Sequence, residues 1–301
     1  MTATQTPSAT QSPAAATFGR QMLNKVPEVT IFFWIIKIMC TTVGETAADY
    51  LNENLGFGLT KTTYVTGALL VVLLFVQFRL RRYVPAVYWS VVVVISVFGT
   101  LITDNMTDRY NVPLTTSTIV FSICLIAVFS VWYAVERTLS IHTIYTTRRE
   151  AFYWLAILFT FALGTAAGDL CAEKFDLGYA ISIAIFGGII GLIAFAHFVL
   201  KVNPVLTFWL AYILTRPLGA SIGDEMSQNS HKYGGLGLGT TGTSYIFLGC
   251  ILALVTYLSI TKRDQTPPEV VAQDLQAHPD HHPHHPHHRR EHPPELAPQE
   301  G

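Results

Sequence analysis

The sequence "GETAADYL", residues 44–51, places two carboxylates, Glu45 and Asp49, near the end of the first long apolar stretch of the chain. Carboxylates are costly in hydrocarbon, so a membrane helix carries them only where they are paired, hydrated or functional. The composition identifies a membrane as the relevant solvent. Of 301 residues, 50% are hydrophobic and 13% are charged, with a mean hydropathy of +0.39, whereas a soluble domain carries about 25% charged residues.

Eight apolar stretches are long enough to cross a bilayer as helices. A span needs about 20 apolar residues, and the stretches cover about 29–51, 60–80, 85–107, 114–135, 150–172, 178–200, 203–225 and 239–260. They are continuous rather than alternating, which favours helices over a membrane barrel. The first stretch is too long and begins too late in the chain for a signal peptide.

A motif recurs in the odd-numbered stretches: Trp, nine residues, Gly, four residues, Asp. The residue before each Asp is small, and the even-numbered stretches each follow a Gly or Pro. A pattern repeated four times predicts four structural units of two helices each. The motif residues are Trp34, Gly44 and Asp49; Trp89, Gly99 and Asp104; Trp154, Gly164 and Asp169; and Trp209, Gly219 and Asp224.

Four tandem two-helix units with one such tryptophan each resemble a bacterial integral-membrane family catalogued only as a repeat of unknown function. The resemblance covers about 28–261, implies the repeat architecture and implies no activity. We therefore predict an all-α polytopic membrane protein with eight transmembrane helices in four parallel two-helix repeats, related by pseudo-symmetry along the membrane normal. The repeats are expected at about 28–83, 84–148, 149–202 and 203–261, between polar, disordered ends at 1–27 and 262–301.

The distribution of lysine and arginine predicts the orientation. Eleven of these residues fall on the side that holds both termini and four on the opposite side, which predicts cytoplasmic termini in a bacterial inner (plasma) membrane. The eleven are Arg20, Lys25, Arg79, Arg81, Arg82, Arg137, Arg148, Arg149, Lys201, Lys262 and Arg263, and the four are Lys61, Arg109, Lys174 and Lys232.

The spacing of the motif also predicts the depth of each member. Fifteen residues separate Trp from Asp, or about 22 Å of helix. We expect the four tryptophans to anchor the cytoplasmic interface and the four aspartates to lie near the opposite face. The glycines and the small residues four positions later form a stripe that lets helices pack closely, so Gly44, Gly99, Gly164 and Gly219 are predicted packing residues.

The four aspartates are expected either to converge on one axis or to form two pairs. An acidic cluster at a membrane mouth attracts cations and repels anions. Glu45 is not repeated, since its counterparts are Thr100, Thr165 and Ala220, and the basic residues Lys37 and Arg216 also break the symmetry. The candidate transport residues are Asp49, Asp104, Asp169, Asp224, Glu45, Arg216 and Lys37.

Structural explanations compete with this interpretation. Each Asp would then cap its own loop or accept backbone hydrogen bonds in interfacial water. Lys37 would extend along the helix to the cytoplasmic interface, and Arg216 would pair with Glu45 or a repeat Asp. The four cysteines have no close pair and fit buried packing roles, with Cys171 alone near enough to an Asp to suggest a soft ligand.

The C-terminal segment "HPDHHPHHPHHRREHPPE" is rich in imidazole and is predicted to bind Zn, Ni, Cu or Co. For the protein as a whole, the predicted divalent metal ion is Zn, Ni, Co, Cu or Mn. A solvated low-complexity tail without a metal role is the alternative. The predicted ligands are His278, His281, His282, His284, His285, His287, His288 and His292.

No enzyme signature is present in the sequence. The Gly-rich run "YGGLGLGTTGTS" has no preceding strand and no following Lys-Ser/Thr, and no HExxH or nucleophile elbow occurs. A net charge of −1 argues against nucleic acid as a partner. The predicted function is a transporter or channel for a cation, either a divalent metal ion or a proton-coupled small solute. The bilayer and the cation are the partners, and no cofactor is required.

Two other functions remain open at this point. The first is a non-transporting scaffold or a metal or pH sensor that acts through the His-rich tail. The second is a membrane-embedded enzyme that acts on a lipid or quinone and uses the carboxylates as acid and base.

Overall fold

The computed structural model describes residues 24–265, apart from 55, 57, 145, 176 and 229–234. These residues form eight long helices and no strand, and every helix is long and apolar enough to cross a membrane. The prediction of an all-helical polytopic membrane protein is confirmed. The helices are α1 (Ile31–Asp49), α2 (Gly58–Arg79), α3 (Pro85–Asp104), α4 (Leu114–Glu136), α5 (Thr147–Asp169), α6 (Tyr179–Phe198), α7 (Pro204–Ser227) and α8 (Gly239–Thr261).

The odd-numbered helices begin at residues that favour helix starts. The side chains of Thr30, Thr146 and Asn203 accept hydrogen bonds from backbone N–H groups in the first turns of α1, α5 and α7. Proline stands in the first turn of α3 and α7, where its missing N–H costs no hydrogen bond. We call the end of the bundle where these four helices begin the terminal end.

The opposite end, where the odd-numbered helices reach the repeated Asp, is called the aspartate end. In three repeats the α-helix ends at Asp and continues as one π-helical turn, over Tyr50–Asn54, Asn105–Arg109 and Leu170–Lys174. Single π turns occur often at functional sites because they redirect side chains. In the fourth repeat, α7 stays α-helical through Asp224 to Ser227.

The odd-numbered helices form a closed inner ring in the order α1, α3, α5, α7, with α7 packed back on α1. Each even-numbered helix packs outside this ring on the odd-numbered helix of the next repeat, and α8 packs on α1. Accordingly, 56–61% of each odd span is buried inside the protein, against 17–28% of each even span. The repeats are therefore related by fourfold pseudo-symmetry about one axis along the bundle.

The repeat glycines permit the close approach of neighbouring inner helices. A Cβ atom at any of the four would overlap a side chain of the next helix in the ring, and that side chain always stands three residues before the glycine of its own repeat. Small residues at such contacts let membrane helices approach closely. The contacts are Gly44 with Ser96, Gly99 with Phe161, Gly164 with Arg216, and Gly219 with Thr41.

Three of the four motif tryptophans are buried inside the protein and do not face a membrane interface. The side chains of Trp89, Trp154 and Trp209 are only 2–4% exposed, so the predicted anchor role is wrong for these three. They pack in an aromatic cluster inside the terminal end, because the ring closure turns their positions toward neighbouring helices. Trp34, half-buried, packs on Phe33 and Phe208 at its edge.

The same aromatic cluster fills the axis of the ring. Tyr88 and Tyr153 stand one residue before their motif tryptophans, and their hydroxyls are 2.5 Å apart. Phe33 and Phe208 occupy the same position in the other two repeats. Packing of these four aromatic side chains from four helices, with Phe208 partly exposed, stabilises the closed ring at this level.

At the terminal end of the bundle, polar contacts attach the segment before α1 and the segment after α8 to other parts of the protein. The buried ammonium of Lys25 lies 2.7 Å from the carboxylate of Glu150, which also accepts a hydrogen bond from Gln77 at 3.1 Å. Beyond α8, the Tyr83 hydroxyl donates to Asp264 at 2.6 Å. These contacts join segments that lie far apart in the chain and so hold the ring closed.

Gly99→Ala is predicted to lower stability by about 1–3 kcal/mol, because the added Cβ would lie 2.6 Å from Phe161 Cβ and 3.3 Å from the Ala162 nitrogen. Gly188→Ala on the outer helix α6 is the matched control, since nothing lies within 4 Å of its added Cβ. Thermal unfolding in detergent measures both. An equal effect of the two substitutions would contradict the packing role of Gly99.

Asp264→Asn is predicted to stabilise the protein more at pH 7 than at pH 4. Burial raises the pKa of Asp264 above its ordinary value of 3.8, and the hydrogen bond from Tyr83 offsets only part of this. A carboxyl with a raised folded pKa contributes its full stability below its ordinary pKa and loses it as the pH rises through the folded value. Asn mimics the protonated form, so a melting-temperature gain that is independent of pH would contradict this assignment.

Candidate functional site

A cavity of about 450 Å³ lies between the four inner helices at the aspartate end. All four repeat aspartates and Glu45 line it, so the structure brings together five of the seven candidate residues at one surface. The remaining lining is mostly polar. The other lining residues are Asn52, Thr107, Asp108, Asn111, Val112, Pro113, Leu114, Tyr179 and Gln228.

Three of these carboxylates are close enough to share one ion. Glu45, Asp169 and Asp224 each offer an oxygen, and these oxygens lie within 4.8 Å of one another. Oxygens bound at 2.3–2.6 Å to one ion lie at most about 5 Å apart. Glu45 and Asp224 are buried, while Asp169 is half-buried. The cluster therefore joins α1, α5 and α7 at the base of the cavity.

Two outer helices direct their N-terminal ends at the cavity. Leu114 and Tyr179, the first residues of α4 and α6, belong to its lining. The N-terminal end of a helix carries a partial positive charge, which stabilises nearby carboxylates. The repeat architecture thus supplies part of the charge compensation that the acidic lining requires.

Arg216 does not itself line the cavity but contacts its lining residue Glu45, and we call the layer of this contact the floor of the cavity. Its side chain is 0% exposed. The nitrogen Nη2 donates to Glu45 Oε2 at 2.9 Å, to Thr165 Oγ1 at 2.6 Å and to Thr100 Oγ1, and Nη1 donates to the Thr41 carbonyl at 3.2 Å. The structure thus shows the predicted pairing of Arg216 with Glu45.

The partners of Nη2 occupy one repeated position. Glu45, Thr100 and Thr165 each follow the motif glycine directly, and the fourth repeat has Ala220 there. One nitrogen that contacts the same position in three repeats lies on or beside the pseudo-symmetry axis. The repeat Asp stands four residues later, about 6 Å further along the helix. The guanidinium therefore lies directly below the acidic layer.

Lys37 lies deeper, eight residues or about 12 Å before Glu45 on α1. Its ammonium is 4.2 Å from the centroid of the Tyr212 ring and 4.4 Å from that of Phe161, and 3.5 Å from Thr215 Oγ1. The expected extension of Lys37 to the terminal-end interface is wrong, because the ring turns this position inward. No carboxylate in the described part of the chain lies within 4.0 Å of this ammonium.

Below the cavity, the axis is filled by side chains in successive layers. Arg216 occupies the first, Lys37 and Tyr212 the next, and the aromatic cluster with Tyr88 and Tyr153 the last. All of these five side chains are buried. The cavity is therefore separated from the terminal end by packed protein.

Sequence reasoning did not identify Thr100 and Thr165 as site residues, although they were recognised as the counterparts of Glu45. Alignment of the repeats on their motif glycines also predicts part of the cavity lining. Asn52 and Thr107 both stand eight residues after their motif glycines, and both line the cavity. The π turns gave no sequence signal. They depend on how each helix end packs against the outer helices.

The other candidate ligands lie elsewhere. Cys171 is half-buried and outside the cavity lining, and all four cysteines are free thiols. The eight histidines of the C-terminal segment fall outside the described residues, so their predicted metal binding stays a prediction.

Replacing each buried lysine by methionine is predicted to have opposite effects. Both Lys25 and Lys37 are 1% exposed, but among the described residues only Lys25 has a carboxylate within 4.0 Å. Lys25→Met leaves the buried carboxylate of Glu150 without its ion-pair partner and is expected to lower the free energy of unfolding by about 3–5 kcal/mol. Lys37→Met removes a buried charge held mainly by aromatic faces and is expected to stabilise by about 1 kcal/mol or more. Thermal unfolding compares them, and a comparable loss in both would show an unrecognised partner for Lys37.

Comparison with protein families identifies the repeats. A model described as "Repeat of Unknown Function (DUF347)" matches residues 32–83, 87–138, 152–203 and 207–264. Each matched segment contains one inner helix and the outer helix that follows it. A comparison with curated proteins and one with solved structures each found no match. The matches cover most of the chain, in agreement with the predicted fourfold repeat, and the chain belongs to the family of DUF347 repeat proteins.

Proposed function

We propose that this protein transports a cation across the inner membrane of a bacterium, with both termini in the cytoplasm and the acidic cavity on the opposite side. The main support for this proposal is the cavity that all four repeat aspartates and Glu45 line. With Asp108, six carboxylates line this cavity, and they create a negative potential that concentrates cations and repels anions. If each aspartate only capped its own loop, the four aspartates would have no need to line one cavity. The shared cavity therefore favours a common role.

The donor set favours a hard divalent cation. Glu45, Asp169 and Asp224 supply only oxygen, which suits Mn²⁺, Mg²⁺ or Ca²⁺, whereas Zn²⁺ and Cu²⁺ sites usually include imidazole or thiolate. Among the metals considered from sequence (Zn, Ni, Co, Cu and Mn), this chemistry supports Mn²⁺ best. A proton-coupled cationic solute is the second substrate class, since the cavity of about 450 Å³ has room for a small organic cation.

The filled axis favours a gated carrier over a permanently open channel. A cation that enters the cavity meets the buried guanidinium of Arg216, then Lys37, then an aromatic cluster. Passage therefore requires these layers to rearrange. We propose no enzymatic role, and no cofactor is part of the mechanism. The sensor alternative depends on the His-rich tail, so no contact of the described residues favours it.

Asp169→Asn and Asp224→Asn are predicted to reduce Mn²⁺ flux and weaken Mn²⁺ binding by about tenfold or more, because each loses an anionic ligand of the three-carboxylate cluster. Flux is measured in proteoliposomes that contain a metal-quenched dye, and binding by calorimetry in detergent. Asp49→Asn and Asp104→Asn, which lie in the cavity but outside the cluster, should have smaller effects.

Glu225→Gln is the matched control, since this residue follows Asp224 on α7, loses the same charge and does not line the cavity. Thermal unfolding confirms that each variant is folded. If all four folded Asp→Asn variants carry Mn²⁺ and other divalent cations at the parent rate, the acidic cavity is not the transport site.

A further inference from the structure

We propose that Arg216 is a tethered competitor for the transported cation. Its guanidinium neutralises Glu45 and closes the floor of the cavity. A divalent cation that binds Glu45, Asp169 and Asp224 displaces the guanidinium and thereby opens the floor. This inference rests on the proposed function, since it assigns the gate and the charge requirement of the same site.

The first support is that Glu45 belongs to two arrangements at once. It is the one acidic partner of Arg216 among the described residues, at 2.9 Å, and it is also one of the three carboxylates that could hold an ion. A divalent cation on that cluster would lie within a few ångströms of the guanidinium in a poorly hydrated region. Repulsion between like charges is strong there, so the two cations exclude each other.

The second support is the position of the guanidinium. Its nitrogen Nη2 contacts the residue after the motif glycine in three repeats, so it occupies the centre of the ring at this layer. Ala220, the fourth member, leaves that side of the layer without a competing polar group. Arg216 thus blocks the axis where the cavity would otherwise continue toward Lys37.

The third support is that the remaining contacts of Arg216 are neutral. Two threonine hydroxyls and the Thr41 carbonyl accept its other hydrogen bonds, and Nε has no partner among the described residues. Loss of Glu45 to a substrate cation therefore removes the one ion pair within 4.0 Å that the guanidinium makes among the described residues. Pro217 follows directly and interrupts the backbone hydrogen bonding of α7, so this turn is less constrained than its counterparts.

The displacement explains why a divalent cation is needed. The guanidinium carries one positive charge. A monovalent ion in its place would also supply one, so the net negative charge of the three carboxylates would not change. A divalent ion bridges Glu45, Asp169 and Asp224 and adds one positive charge relative to the guanidinium. We therefore expect Mn²⁺, and not Na⁺, to open the floor.

The main test compares Mn²⁺ binding to the parent, Arg216→Gln and Lys37→Gln by calorimetry in detergent. Removal of a competitor should tighten binding, so Arg216→Gln is expected to lower the Mn²⁺ dissociation constant at least tenfold. Lys37→Gln removes an equally buried cation that does not contact Glu45, and is expected to change it less than threefold. A folded Arg216→Gln protein with unchanged or weaker binding overturns the proposal.

A second measurement keeps Arg216 in place and uses Cys40 as a native probe. Cys40 is fully buried, five residues before Glu45 on α1 and about 7.5 Å deeper. In a variant with Cys124, Cys171 and Cys250 changed to Ala, reaction of Cys40 with a small neutral thiosulfonate should accelerate at least tenfold in Mn²⁺ but not in Na⁺ of equal ionic strength. Equal rates in a protein that transports Mn²⁺ overturn the proposal.

The two ideas can fail separately. If the parent neither binds nor transports any divalent cation, the proposed transport of a divalent cation is wrong. The floor is still tested, because Arg216→Gln should expose Cys40 to the reagent without any ion. If Arg216→Gln does not fold, the Cys40 rates with native Arg216 decide the question.

Discussion

Close packing at the motif glycine is the contact on which the rest of this structure depends. Each glycine accepts a side chain of the next inner helix, and repetition of that contact four times closes the ring from α7 back to α1. Once the ring is closed, residues at the same position of each repeat lie in one layer around the axis. The acidic layer, the guanidinium layer and the aromatic layer are all consequences of this register.

Function in such a ring depends on where the repeats differ. The aspartates follow the symmetry, but Glu45, Arg216 and Lys37 each occur once at their positions. Buried charges are expensive in a membrane and add little net stability even when they are paired. Their presence on the axis, where no packing requirement demands them, supports a role in binding and gating over a role in holding the helices together.

Much of the fold followed from the sequence because it depends on short-range pattern. The eight spans required only length and apolarity, and the repeat required only the Trp–Gly–Asp spacing. Four parallel repeats are compatible with aspartates that converge on one axis or that form two pairs. The structure places all four around one cavity.

The errors came from the direction in which side chains point. Spacing placed Trp89, Trp154 and Lys37 at plausible depths, yet whether such positions face lipid or the axis depends on which helices surround them. The ring turned all three inward. The π turns and the neutral partners Thr100 and Thr165 also depend on contacts between repeats.

The sequence by itself determined the number of helices, the repeat and the depth of each charged residue, since these depend on hydrophobic length and helical rise. Tertiary structure decided which charges meet. Glu45 and Arg216 are 171 positions apart in the chain, and they become partners only because the closure of the ring brings the fourth repeat against the first.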